Sequence, residues 1–297
     1  MSSRLKRTGF ITIFLLPTFI FFALFTLYPI AKGIQISFFD WSGRTKDMDF
    51  IGIQNFLDLF SDPIIWTAIK NDYFLVVGKV LGIMLLATVF AVSVTRLRVV
   101  GRNIFRVIFF IPNVISVVVI GVLFRFVYNP NLGFINSFLS LFTDNPVQIA
   151  WLGSEKLAMW SLLWPSIWAG IGFYMILLIA AILSIPTELY EAADLDGATQ
   201  SQQFWSLTLP LIWEQMKVSI LHIVMTTLNG SFIIVWIMTE GGPDNSTQVM
   251  GSYLYQMGFR QYHMGYAAAI GVLILVLSLI TTMTLQKLLS KNTTELA

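Results

Sequence analysis

Four carboxylates, Glu188, Glu191, Asp194 and Asp196, stand close together in a polar interruption between two long apolar segments. Acids grouped in this way could hold a metal ion or form the acidic cluster of an enzyme at a membrane face. The residues among them favour a different use. Thr187 can cap a helix, with Glu188 and Glu191 in its first turn, where the positive end of the helix dipole favours carboxylates. Leu189, Ala192 and Ala193 then share one face at helical spacing, and Gly197 supplies the stop. The pattern predicts a helix over about residues 187–198 whose small alanines let a partner approach closely. It also fits an amphipathic helix resting on lipid headgroups.

Other reactive groups are scarce. The chain has no cysteine, which excludes disulfides, thiolate metal sites and cysteine nucleophiles. His222 and His263 are not spaced as a metal pair, and no Gly-x-x-x-x-Gly-Lys-Ser/Thr loop is present to cradle a nucleotide. His222 lies in an apolar segment, either as a proton relay or as a neutral partner of a neighbouring helix. Lys79 lies near one end of its apolar segment, where it is functional, snorkels to the interface, or pairs with Asp72 through a neighbour or water. The middles of the apolar segments carry no Asp or Glu, which argues against a proton-driven carrier.

The elements that position these groups follow from composition. The chain is 56% hydrophobic and only 11% charged, with mean hydropathy +0.76 and its apolar residues in blocks. A helix crossing a hydrocarbon core of roughly 30 Å needs about 20 mostly apolar residues. Six segments qualify: Phe10 to Ala31, Tyr73 to Thr95, Ile104 to Tyr128, Leu157 to Leu183, Met216 to Met238, and Tyr266 to Leu288. The expected fold is an all-α polytopic membrane protein, one domain over residues 1–297, with a short loop helix at Asn55 to Phe60. Arg4, Lys6 and Arg7, then Lys287 and Lys291, and above all Arg96, Arg98, Arg102 and Arg106 in one short loop, outweigh Lys32, Arg44, Lys46 and Lys70 on the other side, so both termini and the 188–214 loop are expected to be cytoplasmic. The first segment is too long for a signal-peptide core and has no convincing cleavage site, so it reads as an uncleaved anchor. The net charge of +2 is ordinary, and the basic residues suit anionic lipid headgroups rather than nucleic acid.

Glu191-Ala192-Ala193, Gly197 four residues later, and Leu207-Thr208-Leu209-Pro210 together resemble the coupling-loop signature of binding-protein-dependent ABC importer permeases. Leu207 stands where that family usually has Ile. The stretch Arg106 to Ser116, Tyr128-Asn129-Pro130 with Gly133 and Asn136, Gly172 to Met175, Thr239 to Pro243 with Ser246-Thr247, and Gly265 to Ala269 look like its carbohydrate-uptake, maltose-permease-like branch, in the simpler six-span form. The resemblance implies the type I importer permease fold in a bacterial cell membrane. It implies half of a heterodimeric pore formed with a second homologous permease, two cytoplasmic ATPases carrying ATP-Mg, and an extracytoplasmic solute-binding protein. This chain itself would bind no cofactor or metal and would not be an enzyme. Glu188, Leu189, Glu191, Ala192, Ala193, Asp196, Gly197, Leu209 and Pro210 would form the ATPase-coupling element, with Pro210 opening the next span where its missing N–H costs nothing.

A sugar cargo needs hydrogen-bond partners for its hydroxyls and flat apolar surface for its ring faces. Asn113 and Ser116 on the third span, Ser166, Gly170, Phe173 and Tyr174 on the fourth, and Thr227, Asn229 and Gly230 on the fifth offer both. Several of these positions match the sugar-lining positions of the maltose-type relative. The same residue types commonly serve packing between membrane helices. Two other functions remain to be weighed. One keeps the architecture and imports a polyol or glycerol phosphate, which calls for a pore-facing Arg or Lys that the middles of the spans lack. The other is a membrane enzyme acting on lipid, for which the four loop carboxylates are the available acids.

Overall fold

The computed structural model describes residues 13–96 and 101–290, the side chains of Arg102 and Asn103 excepted. Arg4, Lys6, Arg7, Arg98 and Lys291, on which the sidedness argument partly rests, lie outside the described residues. The chain divides into two compact units. One comprises the described residues up to Pro63 together with Tyr253–Val276, and the other runs Ile64–Ser252 and resumes at Leu277.

In the first unit, α1 (Ile13–Ile36) is apolar on every side and leaves Ile13, Phe21 and Phe25 between 63% and 73% exposed. A helix of that kind is built for lipid or for another membrane chain. Its Ala23–Leu27 turn is π-helical, and Tyr28 N donates to Ala23 O just ahead of Pro29. The wider turn relieves the clash that a proline ring makes with the carbonyl four residues back. After α1 the chain forms a two-residue antiparallel pair, β1 (Phe39–Asp40) with β2 (Asp49–Phe50), which the all-helical expectation did not include. Next comes α2 (Gln54–Ser61), one residue longer at each end than expected. Asp62 accepts hydrogen bonds from Tyr253 Oη (2.5 Å) and Tyr266 Oη (2.8 Å). Burial, and then the Asp62 charge, hold the Tyr253 phenol above its ordinary pKa.

The second unit holds the helices α3 (Pro63–Thr95, entering from the first unit at Pro63), α4 (Arg102–Val114), α5 (Val117–Val127), α6 (Phe134–Ser140), α7 (Glu155–Leu183), α8 (Thr187–Leu195) and the short α9 (Gln200–Gln203). It continues through α10 (Leu209–Leu211) and α11 (Trp213–Met238). Helix α12 (Met250–Tyr255) leads out of it, and α13 (Met264–Ser290) returns to it at Leu277. Leu75, Ile83, Ala87, Leu162, Met175, Leu178, Ile223 and Val235 are buried at its centre. Leu81 and Leu85, on the opposite face of α3, are exposed and suit lipid contact. Small residues set the spacing: a Cβ on Gly172 would lie 2.3 Å from Phe109 O and 2.7 Å from Phe110 Cα, so α7 and α4 meet at backbone distance. Asp72 accepts from Ser231 Oγ (2.6 Å) and from Met250 N (2.8 Å), and Asn71 Nδ2 donates to Ser246 O and Gln248 O.

Among the described residues, five helices are long and apolar enough to cross a membrane, and α4 with α5 makes a sixth crossing if the bent pair counts as one. That pair corrects the expectation of a continuous third span. Its two halves are bent by 100° at a break after Val114. Pro112 lies inside α4, and Ile115 and Ser116 adopt extended ψ angles of 135° and 137°. Ser116 then caps α5, its Oγ accepting from Val118 N at 3.3 Å. A proline inside a helix opens it locally, and the capping serine turns that opening into a new helix start. Helix α3 begins ten residues before the expected Tyr73, which makes Lys79 its seventeenth residue and not a terminal one.

Candidate functional site

The loop helix α8 is entered through Pro186, whose φ of −55° and ψ of 133° make it the N-cap. Thr187 therefore falls inside the first turn and does not cap, contrary to expectation. The helix ends as anticipated. Gly197 takes φ +76°, Ala198 N donates to Ala193 O at 2.9 Å and Gly197 N to Asp194 O at 3.1 Å, the paired bonds of a left-handed C-cap. Thr199 and Gln202 then form a capping box. The run 200–211 passes through a π-helical turn at Phe204–Thr208, Leu209 N donating to Phe204 O, again immediately ahead of a proline. Pro210 thus belongs to this run. The long helix α11 starts three residues later, at Trp213, which corrects the expected role of Pro210 as its first residue.

One side of α8 is pinned. Tyr190 is buried, its ring lies under the Arg96 guanidinium at 3.4 Å, and its hydroxyl is 2.9 Å from Thr208 Oγ1. Gln203 Nε2 donates to Asp194 Oδ1 at 2.6 Å, and Arg96 Nη2 donates to Gln203 Oε1 at 3.4 Å. Tyr190, Asp194, Gln203 and Arg96 thereby tie the loop helix to the end of α3 and to the 200–208 run. A polar cavity of about 640 Å³ lies among Arg96, Asp194, Gln200, Gln203 and Thr208. The other side of α8 is free: Glu188, Leu189, Glu191, Ala192 and Asp196 are exposed, Ala193 is half-buried, and Leu195 is 90% exposed. Sequence reasoning missed Tyr190, Gln203 and Leu195, and noted Asp194 and Arg96 only for their charge. The Thr199-x-x-Gln202 box was a readable sign that a second helix follows at once and could brace the first. Among the described residues no group of three or more His, Asp or Glu could hold a metal ion, so the loop carboxylates do not form a cage.

The expected cargo residues fall into three sets. Ser166, Thr227 and Gly230 line one small cavity. Asn113, Ser116, Phe173 and Asn229 are exposed. Asn113 Nδ2 donates to Ala169 O at 3.5 Å, while Asn229 Nδ2 donates to Met225 O in its own helix at 2.8 Å, so the two asparagines do not bond each other. Gly170 serves packing, since a Cβ there would lie 2.6 Å from Ile83 Cδ1. A Cβ on Gly230 would meet no protein atom, so no neighbouring helix demands glycine there. Tyr174 Oη is 2.9 Å from His222 Nδ1, and the Phe173 ring is tilted against the same imidazole with centroids 5.8 Å apart, so His222 contacts a neighbouring helix.

The second unit is thus a multi-span helical body carrying a braced loop helix with one exposed face. The comparisons make this specific. Residues 80–295 match the family described as binding-protein-dependent transport system inner membrane component, and the chain belongs to that family. It is 37% identical over 274 residues to the probable ABC transporter permease protein YurN of Bacillus subtilis, covering 90% of this chain and 91% of that one. It is 32% identical to the diacetylchitobiose uptake system permease protein NgcF of Streptomyces coelicolor, covering 92% and 80%. The crystal structure of a bacterial ABC transporter for the acidic polysaccharide alginate contains a chain that superposes with TM-score 0.85 at 26% identity, covering 98% of both chains. The same kind of transporter has been solved in complex with its alginate-pentasaccharide-bound periplasmic protein, with TM-score 0.82. The chain is therefore a permease component of an ABC importer, a multi-span inner-membrane transport subunit and not an enzyme.

Proposed function

We propose that this chain forms half of the translocation pore of an ATP-driven sugar importer and receives the ATPase stroke through α8. The observation that carries the reading is the division of α8 into a pinned side and a free side. Tyr190, Asp194 and Gln203 fix its base to the body, while Leu189, Ala192 and Leu195 project outward. A push on the free face is then delivered to α3 through Arg96 and to α11 through the 200–211 run. Glu188, Glu191 and Asp196 are placed to meet basic groups of an ATPase, with Gly197, Leu209 and Pro210 shaping the return of the chain.

The partners follow: a second homologous permease, two ATPase subunits holding ATP-Mg, and a solute-binding protein outside. Both termini and α8 face the cytoplasm of a bacterial cell, a reading supported by the basic residues Arg96, Arg106 and Lys287. Asn113, Ser116, Ser166, Phe173, Tyr174, Thr227, Asn229 and Gly230 contribute to the cargo path, and Gly170 contributes through helix spacing. Sugar as the cargo class is supported by the names of relatives, among them the diacetylchitobiose permease and the alginate transporter.

The test is Ala193→Arg. The inserted protein should keep its expression and span count, lose co-purification with the ATPase, and lose sugar uptake. Normal uptake by this variant would remove α8 from the coupling path.

A further inference from the structure

The geometry points to an acid-binding subsite inside the second unit, in which Lys79 receives the anionic group of an acidic sugar. This rests on the sugar-import reading above and narrows its cargo class. Lys79 lines the cavity it shares with Ser166, Thr227, Gly230 and Ser231, a space of about 100 Å³ between α3, α5, α7 and α11. It is half-buried, and among the described residues no hydrogen bond or ion pair reaches its ammonium. The nearest acid on its own helix, Asp72, is committed elsewhere, its two oxygens accepting from Ser231 Oγ and Met250 N. The helix continues sixteen residues on either side of Lys79, far beyond the reach of a lysine side chain. An ammonium inside a membrane protein without a bonded counter-charge is costly, and such residues mark the paths of substrates and ions.

The neighbouring hydroxyls fix the complementary chemistry. Ser166 Oγ donates to Leu162 O, Thr227 Oγ1 to Ile223 O, and Ser231 Oγ to Asp72. Each donates its proton within the protein, which leaves it an acceptor towards a ligand, while Lys79 offers up to three N–H donors. The ligand that satisfies both is one with hydroxyl donors and an anionic acceptor on the same scaffold, as in a uronic acid or a sulfonated sugar. At about 30 Å³ per water, the cavity has room for about three waters, enough for an acid group and too little for a ring. The ring would lie outside it, and Gly230, exposed at its edge, leaves the approach unobstructed.

The experiment uses cells expressing the whole importer with its own binding protein. Uptake is measured for glucuronate-, mannuronate- and galacturonate-terminated disaccharides and their neutral counterparts. We expect the best cargo to carry the acid group. Lys79→Met should lower its uptake at least tenfold, and Lys79→Arg should retain most of it, with the assembled complex purifying in parental yield from both. A neutral sugar as the best cargo, or full acid-sugar uptake by Lys79→Met, overturns the subsite while leaving sugar import standing. Loss of the second permease from purified Lys79→Met complexes also overturns it, since the lysine would then pair with that subunit. If the parental importer takes up no sugar of either kind, the sugar reading itself fails and the subsite falls with it.

Discussion

Replacing Gly197 tests whether α8 must be held as a rigid element, and the structure sets the size of the effect. Gly197 sits at φ +76°, and a Cβ built there meets no atom within 4 Å. The cost of a side chain within this subunit is therefore backbone strain alone, about 1–2 kcal/mol for an ordinary L-residue in the left-handed region. Asparagine tolerates that region better, and a β-branched residue tolerates it worse. Helix α8 has nine residues, fewer than the about 12–15 that an isolated helix needs even for marginal stability. It depends on its C-cap and on Tyr190, so the strain should appear in full as loss of the capped state, a factor of about 5–30. ATP-dependent uptake and ATPase co-purification should fall in the order Gly, Asn, Ala, Val, with membrane insertion and expression unchanged throughout. Parental uptake by Gly197→Val would refute the view that the left-handed cap is needed. An equal loss for Asn, Ala and Val would point to a steric clash with the docked partner and not to strain.

The remaining predictions concern the brace, the helix spacing and the cargo path. Tyr190→Phe removes only the bond to Thr208 Oγ1 and should weaken coupling mildly, consistent with about 1 kcal/mol for one hydrogen bond. Tyr190→Ala also removes the ring beneath Arg96 and should uncouple ATP hydrolysis from uptake, read as ATPase activity that no longer responds to loaded binding protein. Gly172→Leu should cut the yield of folded protein and lower its melting temperature in detergent. Its Cβ meets the α4 backbone, and overpacking typically costs about 1–3 kcal/mol. Asn113→Ala and Asn229→Ala should reduce uptake while leaving the binding protein's affinity for the sugar unchanged. Parental transport by both would make these asparagines packing residues.

The spans were legible because each is a long apolar run, and α8 was legible because Gly197 and the alanine pattern encode a short helix with a definite end. What eluded the sequence has a physical reason in each case. The 100° bend between α4 and α5 depends on Ser116 choosing an N-cap role, and an apolar run on both sides disguises that choice. Pro210 looks like a helix opener, but the π-helical turn before it lets a helix run through the proline. Tyr190 reads as one aromatic among polar neighbours. Its importance comes from Arg96 and Thr208, which are distant or on another turn until the chain folds. Lys79 lies near one end of the apolar run, which starts at Tyr73, whereas the helix itself starts at Pro63.

The central claim is that this chain is one half of a pore worked by a separate ATPase. The most direct measurement is sugar uptake into proteoliposomes containing the purified chain alone, and then containing it together with the partner permease, the ATPases and the binding protein. The chain alone should show neither ATP hydrolysis nor gradient-driven uptake, and the full set should accumulate sugar only when ATP is supplied. Proton-coupled uptake by the chain alone, or uptake by the full set that does not depend on ATP, would contradict the account.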